Sequence, residues 1–323
     1  MDSPITLMGQ GGRRRGNDRC QGIAESLWVV AVVCLGCVPL LRSQSGPSAS
    51  SRFESGVLPA QWTDQNPDCE HAQAFHVHEY NPTFYILRQS GCTHFEKPFL
   101  YLLLGSKEAL LVDTGARGAD ISKTIGELVR RKSANETNPL PLLVVHSHGH
   151  GDHTAGDGAL QGVAATRVIG TQPPAMDFFK LKNWPAEIAQ YDLGDRVVDI
   201  LPIPGHEPAS VAIYDRRTGI LLTGDTLYPG RLYVRDSRAF VASIDRLVDF
   251  TRTREVTHLL GAHIENTRTP YLDYPQGTTF QPGEHVLELG RAHLLELQDA
   301  LQQMGDSLDR RLLRDFTVWP VVP

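Results

Sequence analysis

Short apolar runs separated by turn residues dominate the chain from residue 83 onward. "TFYILRQ" (83–89), "PFLYLLLG" (98–105) and "EALLVDTG" (108–115) are rich in aromatic, β-branched and aliphatic side chains, and they read as three successive strands. "ADISKTIGELVRRK" (119–132) follows with Ile121, Ile125 and Leu128 at helical spacing. "LPLLVVHS" (140–147) is a continuous apolar run, the pattern of a buried strand. The alternation then repeats. "TRVIG" (166–170), "VVDILPIPG" (197–205), "ASVAIYD" (209–215), "GILLTGD" (219–225) and "HLLGAH" (258–263) read as strands. "SRAFVASIDRLVDFTRT" (237–253) reads as a helix with Phe240, Ile244, Leu247 and Phe250 on one face, and 283–304 as a long C-terminal helix. Mixed strands with a helix after each group predict an α/β fold, with two mixed sheets packed inside helical layers.

The first fifty residues break this pattern. "GGRRRGNDR" is a positive segment, and "SLWVVAVVCLGCVPLL" (26–41) is an apolar run of signal-peptide length, short for a membrane span. Small residues follow at cleavage-site spacing. The chain is therefore divided into a signal peptide (1–45), a Ser-, Pro- and Gln-rich N-terminal tail (46–72) and one main domain (73–323). The alternative is an uncleaved membrane anchor. Cleavage implies a periplasmic or secreted protein with no stable membrane insertion afterwards. Of the five cysteines, only Cys69 and Cys92 would survive it, and two cysteines in an oxidising compartment predict a disulfide. A hydrophobic content of 41% and a charged content of 21% describe an ordinary globular chain. The net charge of -6 removes any electrostatic reason to expect nucleic acid.

Candidate chemistry sits at the ends of the strands. "HSHGHGDH" (146–153) packs four histidines and an aspartate around two glycines, which makes a loop of metal-competent groups rather than a packing face. His206, Asp225 and His263 each follow an apolar run directly, where a strand would deliver them to one rim. Imidazoles with a carboxylate suit zinc or a similar divalent ion. Gly205, Gly224 and Gly261 let the backbone turn and approach closely at these points.

These elements, "HxHxDH" as His148, His150, Asp152 and His153 with the later "PGH", "TGD" and "GAH" in order, resemble the metallo-β-lactamase fold superfamily over roughly residues 75–265. The resemblance implies an αββα sandwich with two metal ions, expected to be zinc, at one edge. By position, His148, His150 and His206 would hold the first ion and Asp152, His153 and His263 the second, with Asp225 bridging. Asp113 in "LVDTG" would orient the ligand loop, and His146 matches no ligand position. The implied chemistry is hydrolysis by a hydroxide shared between the metals. It would attack the carbonyl of a small-molecule substrate while a metal polarises its oxygen, with Asp152 orienting the nucleophile. No serine nucleophile is needed, and Ser147 has no triad context.

Asp225 stands where zinc β-lactamases generally have Cys or Ser, which points to glyoxalase II, lactonases and related ester or thioester hydrolases. Tyr228, three residues later, stands where lactonases carry a tyrosine that helps hold the substrate carbonyl. No glyoxalase-type glutathione-binding motif is found at the C-terminus. "PGHEPAS" departs from the family with Glu207 and Ala209, and Glu207 would stand beside a ligand. The loop after His263 offers Glu265, Tyr271 and Tyr274 as pocket residues. Two other readings stay open: a β-lactamase, and a non-catalytic metal-binding protein of the cell envelope.

Overall fold

Two six-stranded sheets face each other, and helices cover both outer faces. The computed structural model describes residues 53–62, 68–132, 140–163 and 165–321. Residues 50–323 form one unit, and the first 49 form another that lies outside the described residues. The expected leader, with Cys20, Cys34 and Cys37, falls there. No described helix is long and apolar enough to cross a membrane.

In chain order the first sheet comprises β1 (Phe75–Asn81), β2 (Phe84–Gln89), β3 (Phe99–Leu104), β4 (Ala109–Val112), β5 (Leu142–Val145) and β6 (Thr166–Val168), side by side in that order. Its first four strands are antiparallel, and β4, β5 and β6 run parallel. Helix α1 (Ser122–Lys132) makes the crossover from β4 to β5, and α2 (Gly151–Thr154) and α3 (Asp157–Leu160) follow β5. After the short helix α4 (Pro174–Phe179), the second sheet is built from β7 (Ala189–Asp192), β8 (Val197–Pro202), β9 (Val211–Asp215) and β10 (Ile220–Gly224). β11 (Arg231–Val234) and α5 (Ser237–Arg252) come next. β12 (His258–Gly261) and β13 (Glu288–Leu289) complete the second sheet in the order β13-β12-β10-β9-β8-β7. The chain ends with α6 (Arg291–Met304), β14 (Arg311–Leu312) and β15 (Thr317–Pro320).

Burial explains the layers. Strands β2 to β5 and β9 to β10 are buried at every position, as their continuous apolar runs require when both faces of a sheet are covered. Phe84, Ile86, Tyr101 and Val145 of the first sheet share one core with Ile200, Ile213 and Leu222 of the second. The outer face of the first sheet meets Ile121, just before α1, with Ile125 and Leu128 on that helix, the predicted stripe. The outer face of the second meets Phe240, Ile244 and Leu247 of α5 and Leu294, Leu297 and Leu301 of α6. This is the expected αββα sandwich. Asp236 caps α5, accepting from the Ala239 N–H at 2.9 Å, which starts that helix just past the functional rim.

Three expectations need correction. The stretch read as a tail is partly packed: the Trp62 ring is buried edge-to-face on Phe99 at 5.0 Å, and the Trp62 backbone N–H donates to Glu284 at 3.1 Å. The long helix begins at Arg291 rather than near 283, because Leu287 and Leu289 are buried where the chain is still extended and β13 pairs with β12. A third sheet, β11-β15-β14, was not expected at all. Cys69 and Cys92 are joined by a disulfide, Cα to Cα 5.2 Å. It ties the segment before β1 to the β2–β3 loop, which borders the functional rim. The buried Arg88–Glu284 pair, at 2.7 Å, anchors the long loop after β12 beside the same rim.

Candidate metal centre

The seven expected ligands meet at one edge of the sandwich. Each is delivered by a strand end: His148 and His150 after β5, Asp152 and His153 in α2, His206 after β8, Asp225 after β10 and His263 after β12. Two glycines make the convergence possible. Gly205 has φ +141° and lies so close to α5 that an added Cβ would stand 2.4 Å from the Phe240 Cα. Gly224 has φ +51°, and a Cβ there would meet that of Ser147 at 2.9 Å.

The ligand atoms fall into two groups that share one residue: His148, His150, His206 and Asp225, and Asp152, His153, His263 and Asp225. Asp225 divides its carboxylate between them. Its Oδ2 lies 3.7 Å from His148 Nε2 and 3.5 Å from His206 Nε2. Its Oδ1 lies 3.6 Å from His153 Nε2 and 3.3 Å from His263 Nε2. Asp152 Oδ2 faces the latter two nitrogens at 3.1 and 3.2 Å. Bonds of about 2.1 Å in a tetrahedron put donor atoms roughly 3.4 Å apart, so this spacing suits an ion in each group. Asp225 Oδ1 and His153 Nε2 are buried without a hydrogen-bond partner, which a shared ion would supply. The residues therefore fit two divalent ions of zinc type.

Outer contacts fix which nitrogen points inward in four of the five rings. His153 Nδ1 is held by Asp113 at 2.9 Å, His206 Nδ1 by the Tyr233 carbonyl at 2.8 Å and His263 Nδ1 by the Glu96 carbonyl at 3.0 Å. His148 Nδ1 faces Ser147 Oγ at 3.1 Å. Asp113 also accepts from the Ser147 N–H at 2.7 Å and the Ser147 hydroxyl at 2.8 Å, which is the orienting role expected of it. Ser147 is buried behind the ligands, with its hydroxyl committed to Asp113. His146 braces the loop, with Nδ1 at 3.1 Å from the His153 carbonyl and Nε2 at 3.2 Å from Asp157.

The two groups differ electrically. Burial, with His153 nearby, holds His148 well below the usual imidazole range, and burial with His206 lowers His150. Both shifts favour the neutral imidazole at His148 and His150. In the other half burial opposes charge on His153, but Asp113, Asp225 and Asp152 outweigh it and raise its basicity well above normal. His263 is raised in the same way, burial being outweighed by Asp225 and Asp152. For Asp225 and Asp152 burial acts upward, yet the surrounding imidazoles hold both carboxyls well below the usual range.

A cavity of about 670 Å³ opens onto the ligands. Glu265 and Tyr274 line it as expected, whereas Tyr271 is 62% exposed and does not. Tyr228 also lines it, but the reading of its hydroxyl as a donor to a substrate carbonyl is not what the geometry shows. That hydroxyl donates to the Arg231 carbonyl, lies 3.2 Å from Glu265 and is buried. Glu207 accepts from the Ala209 N–H at 2.7 Å and so stabilises its own turn. Phe95, Lys97, Arg117, Arg235 and Trp319 on the cavity wall had no motif to announce them.

Sheet order, rim and side-chain groups together define a sandwich with a cluster of metal-competent residues at one edge. The family model of the metallo-beta-lactamase superfamily matches residues 97–256, which places that part of the chain in the superfamily. A hydroxyacylglutathione hydrolase of Anaeromyxobacter dehalogenans is 33% identical over 130 residues, 40% of this chain and 46% of its own length. The chain thus spans about half of that relative. The human acyl-coenzyme A thioesterase MBLAC2 is 25% identical over 201 residues, 51% of this chain and 72% of its own. A metallo-beta-lactamase structure from Pontibacter korlensis gives a TM-score of 0.49 at 16% identity, covering 71% of this chain and 99% of its own.

Proposed function

We propose that the protein is a dinuclear zinc hydrolase that cleaves thioesters and related esters or lactones. The carrying observation is Asp225, whose two oxygens face two separate ligand groups. The names of the sequence relatives favour thioesters within that class. Two divalent ions bound there would activate a water near neutral pH and polarise the carbonyl under attack. The chain's own residues do the rest. Asp113, Tyr233 and Glu96 fix the ring orientations, and Asp152, which reaches the cavity, is placed to accept a hydrogen bond from the attacking water. The Tyr228 hydroxyl steadies the Arg231–Glu265 wall instead of touching substrate.

The test is hydrolysis by zinc-loaded and chelator-stripped protein of a thioester, a lactone and a chromogenic cephalosporin. Zinc-dependent turnover, fastest on the thioester, is expected. Turnover confined to the cephalosporin would make the protein a β-lactamase, and equal rates with and without zinc would end the metal-dependent reading. We further infer export to the periplasm or beyond, with residues 1–45 removed. The basic and apolar N-terminal pattern and the Cys69–Cys92 bond support this. Mass spectrometry of the protein from its host should find a mature chain starting near residue 46, and a soluble cytoplasmic chain starting at Met1 would refute export.

A further inference from the structure

Not every cation on the cavity wall has a partner. Arg231 is neutralised by Glu265 at 3.1 Å and Asp273 at 2.8 Å. Lys97 is buried and gives its ammonium hydrogens to the Phe95 and Thr278 carbonyls, both at 2.6 Å. Glu96 faces His94 at 3.4 Å, and the remaining carboxylates of the wall belong to the ligand cluster or to the Arg231 pairs. Arg117 and Arg235 stand apart. Both line the cavity, both are exposed, and neither guanidinium has a partner among the described residues.

Their backbones are nevertheless fixed. The Arg235 N–H donates to the Gly205 carbonyl at 2.9 Å, next to His206. The Arg117 carbonyl accepts from Gln89 at 3.3 Å. One cation comes from the loop after β4, the other from the residue after β11, so they approach the cavity from different sheets. The chain as a whole carries a net charge of -6, so two guanidiniums left unpaired beside one cavity stand out. Unpaired cations in a cleft raise the local concentration of anions beside them. Guanidinium forks also bind carboxylates in a defined orientation.

We propose that Arg117 and Arg235 select substrates carrying a second, anionic group, so that the enzyme prefers thioesters bearing a carboxylate to neutral ones. The proposal rests on the thioester-hydrolase reading above.

The test compares three thioesters of similar size with the zinc-loaded full chain: S-butyryl-N-acetylcysteamine, S-succinyl-N-acetylcysteamine and the butyryl thioester of 3-mercaptopropionate. The first is neutral, the second is anionic on the acyl side and the third on the thiol side. At least one anionic arm should exceed the neutral one roughly a hundredfold in kcat/KM, about tenfold per guanidinium. Whichever arm wins locates the anion. That ratio should fall about tenfold in Arg117→Gln and in Arg235→Gln, and shrink as salt screens the charges. A lysine at either position should restore part of it. Equal kcat/KM on all three esters, or a wild-type ratio in both glutamine variants, would overturn the proposal and leave the hydrolase reading intact. No turnover of any of the three would overturn both.

Discussion

Replacement of Asp225 by alanine is expected to lower the zinc content from about two ions per chain to one or none. It should also reduce kcat/KM about a thousandfold or more, roughly 4 kcal/mol of transition-state stabilisation. The reason is the split carboxylate. One oxygen belongs to each ligand group, so its loss leaves three imidazoles on one side and two imidazoles with a single carboxylate on the other. The fold should survive, because β10 and the Gly224 turn are held by backbone pairing and not by the Asp225 side chain. Metal analysis and thermal unfolding with and without zinc separate these effects. Wild type should gain about 4 kcal/mol at a zinc concentration near a thousand times Kd, and the variant much less. A variant that keeps both ions and full turnover would remove Asp225 from the bridging position.

Much of the sandwich was legible because its interior strands are buried on both faces. A run such as "FLYLLL" has no second reading once Gly and charged turns bound it, and β3 is buried throughout. Edge strands lack that signal. In β1, "FHVHEYN", Val77 is 43% exposed and Glu79 faces solvent, so no apolar run marks it, although β1 pairs with β2 over its whole length. The short third sheet is hidden for a related reason. β11 pairs with β15, nearly ninety residues later, and no local pattern announces so distant a partner. The start of α6 was misplaced because "HVLELG" offers apolar residues to either period, and Gly290 in an extended conformation decides for the strand.

The clustering of the histidines and aspartates was legible for a different reason: their chemistry is concentrated and their spacing is set by strand ends. Their surroundings were not. Lys97 reaches the Thr278 carbonyl across 181 residues, and Arg88 pairs with Glu284 across 196, so the walls of the cavity exist only after folding. Tyr228 shows the limit most clearly. Its position relative to Asp225 suggests a hand on the substrate, but the direction of its hydroxyl is fixed by Arg231 and Glu265, which sequence spacing does not reveal.

Asp113 offers the sharpest test of how the loop is held. It is fully buried with φ +68°, and its carboxylate accepts from the Ser147 N–H, the Ser147 hydroxyl and His153 Nδ1. Asn is among the residues that tolerate this backbone region, so Asp113→Asn tests the carboxylate without adding strain. The new amide NH2 would meet the His153 Nδ1–H or the Ser147 hydroxyl as donor against donor. His153 would then be driven to carry its proton on Nε2, the atom aimed at Asp152 and Asp225. Affinity at the Asp152–His153–His263 group should fall about 10–100-fold, while the His148–His150–His206 group is affected less. A zinc titration against a chromogenic chelator should therefore change from two tight steps to one tight and one weak. Asp113→Ala should act differently. It strands the Ser147 N–H and the His153 Nδ1–H, each buried donor costing about 1–3 kcal/mol, and should lower the melting temperature of the metal-free protein. An asparagine variant that binds both ions like wild type would show that the Asp113 charge is dispensable and that shape alone orients His153.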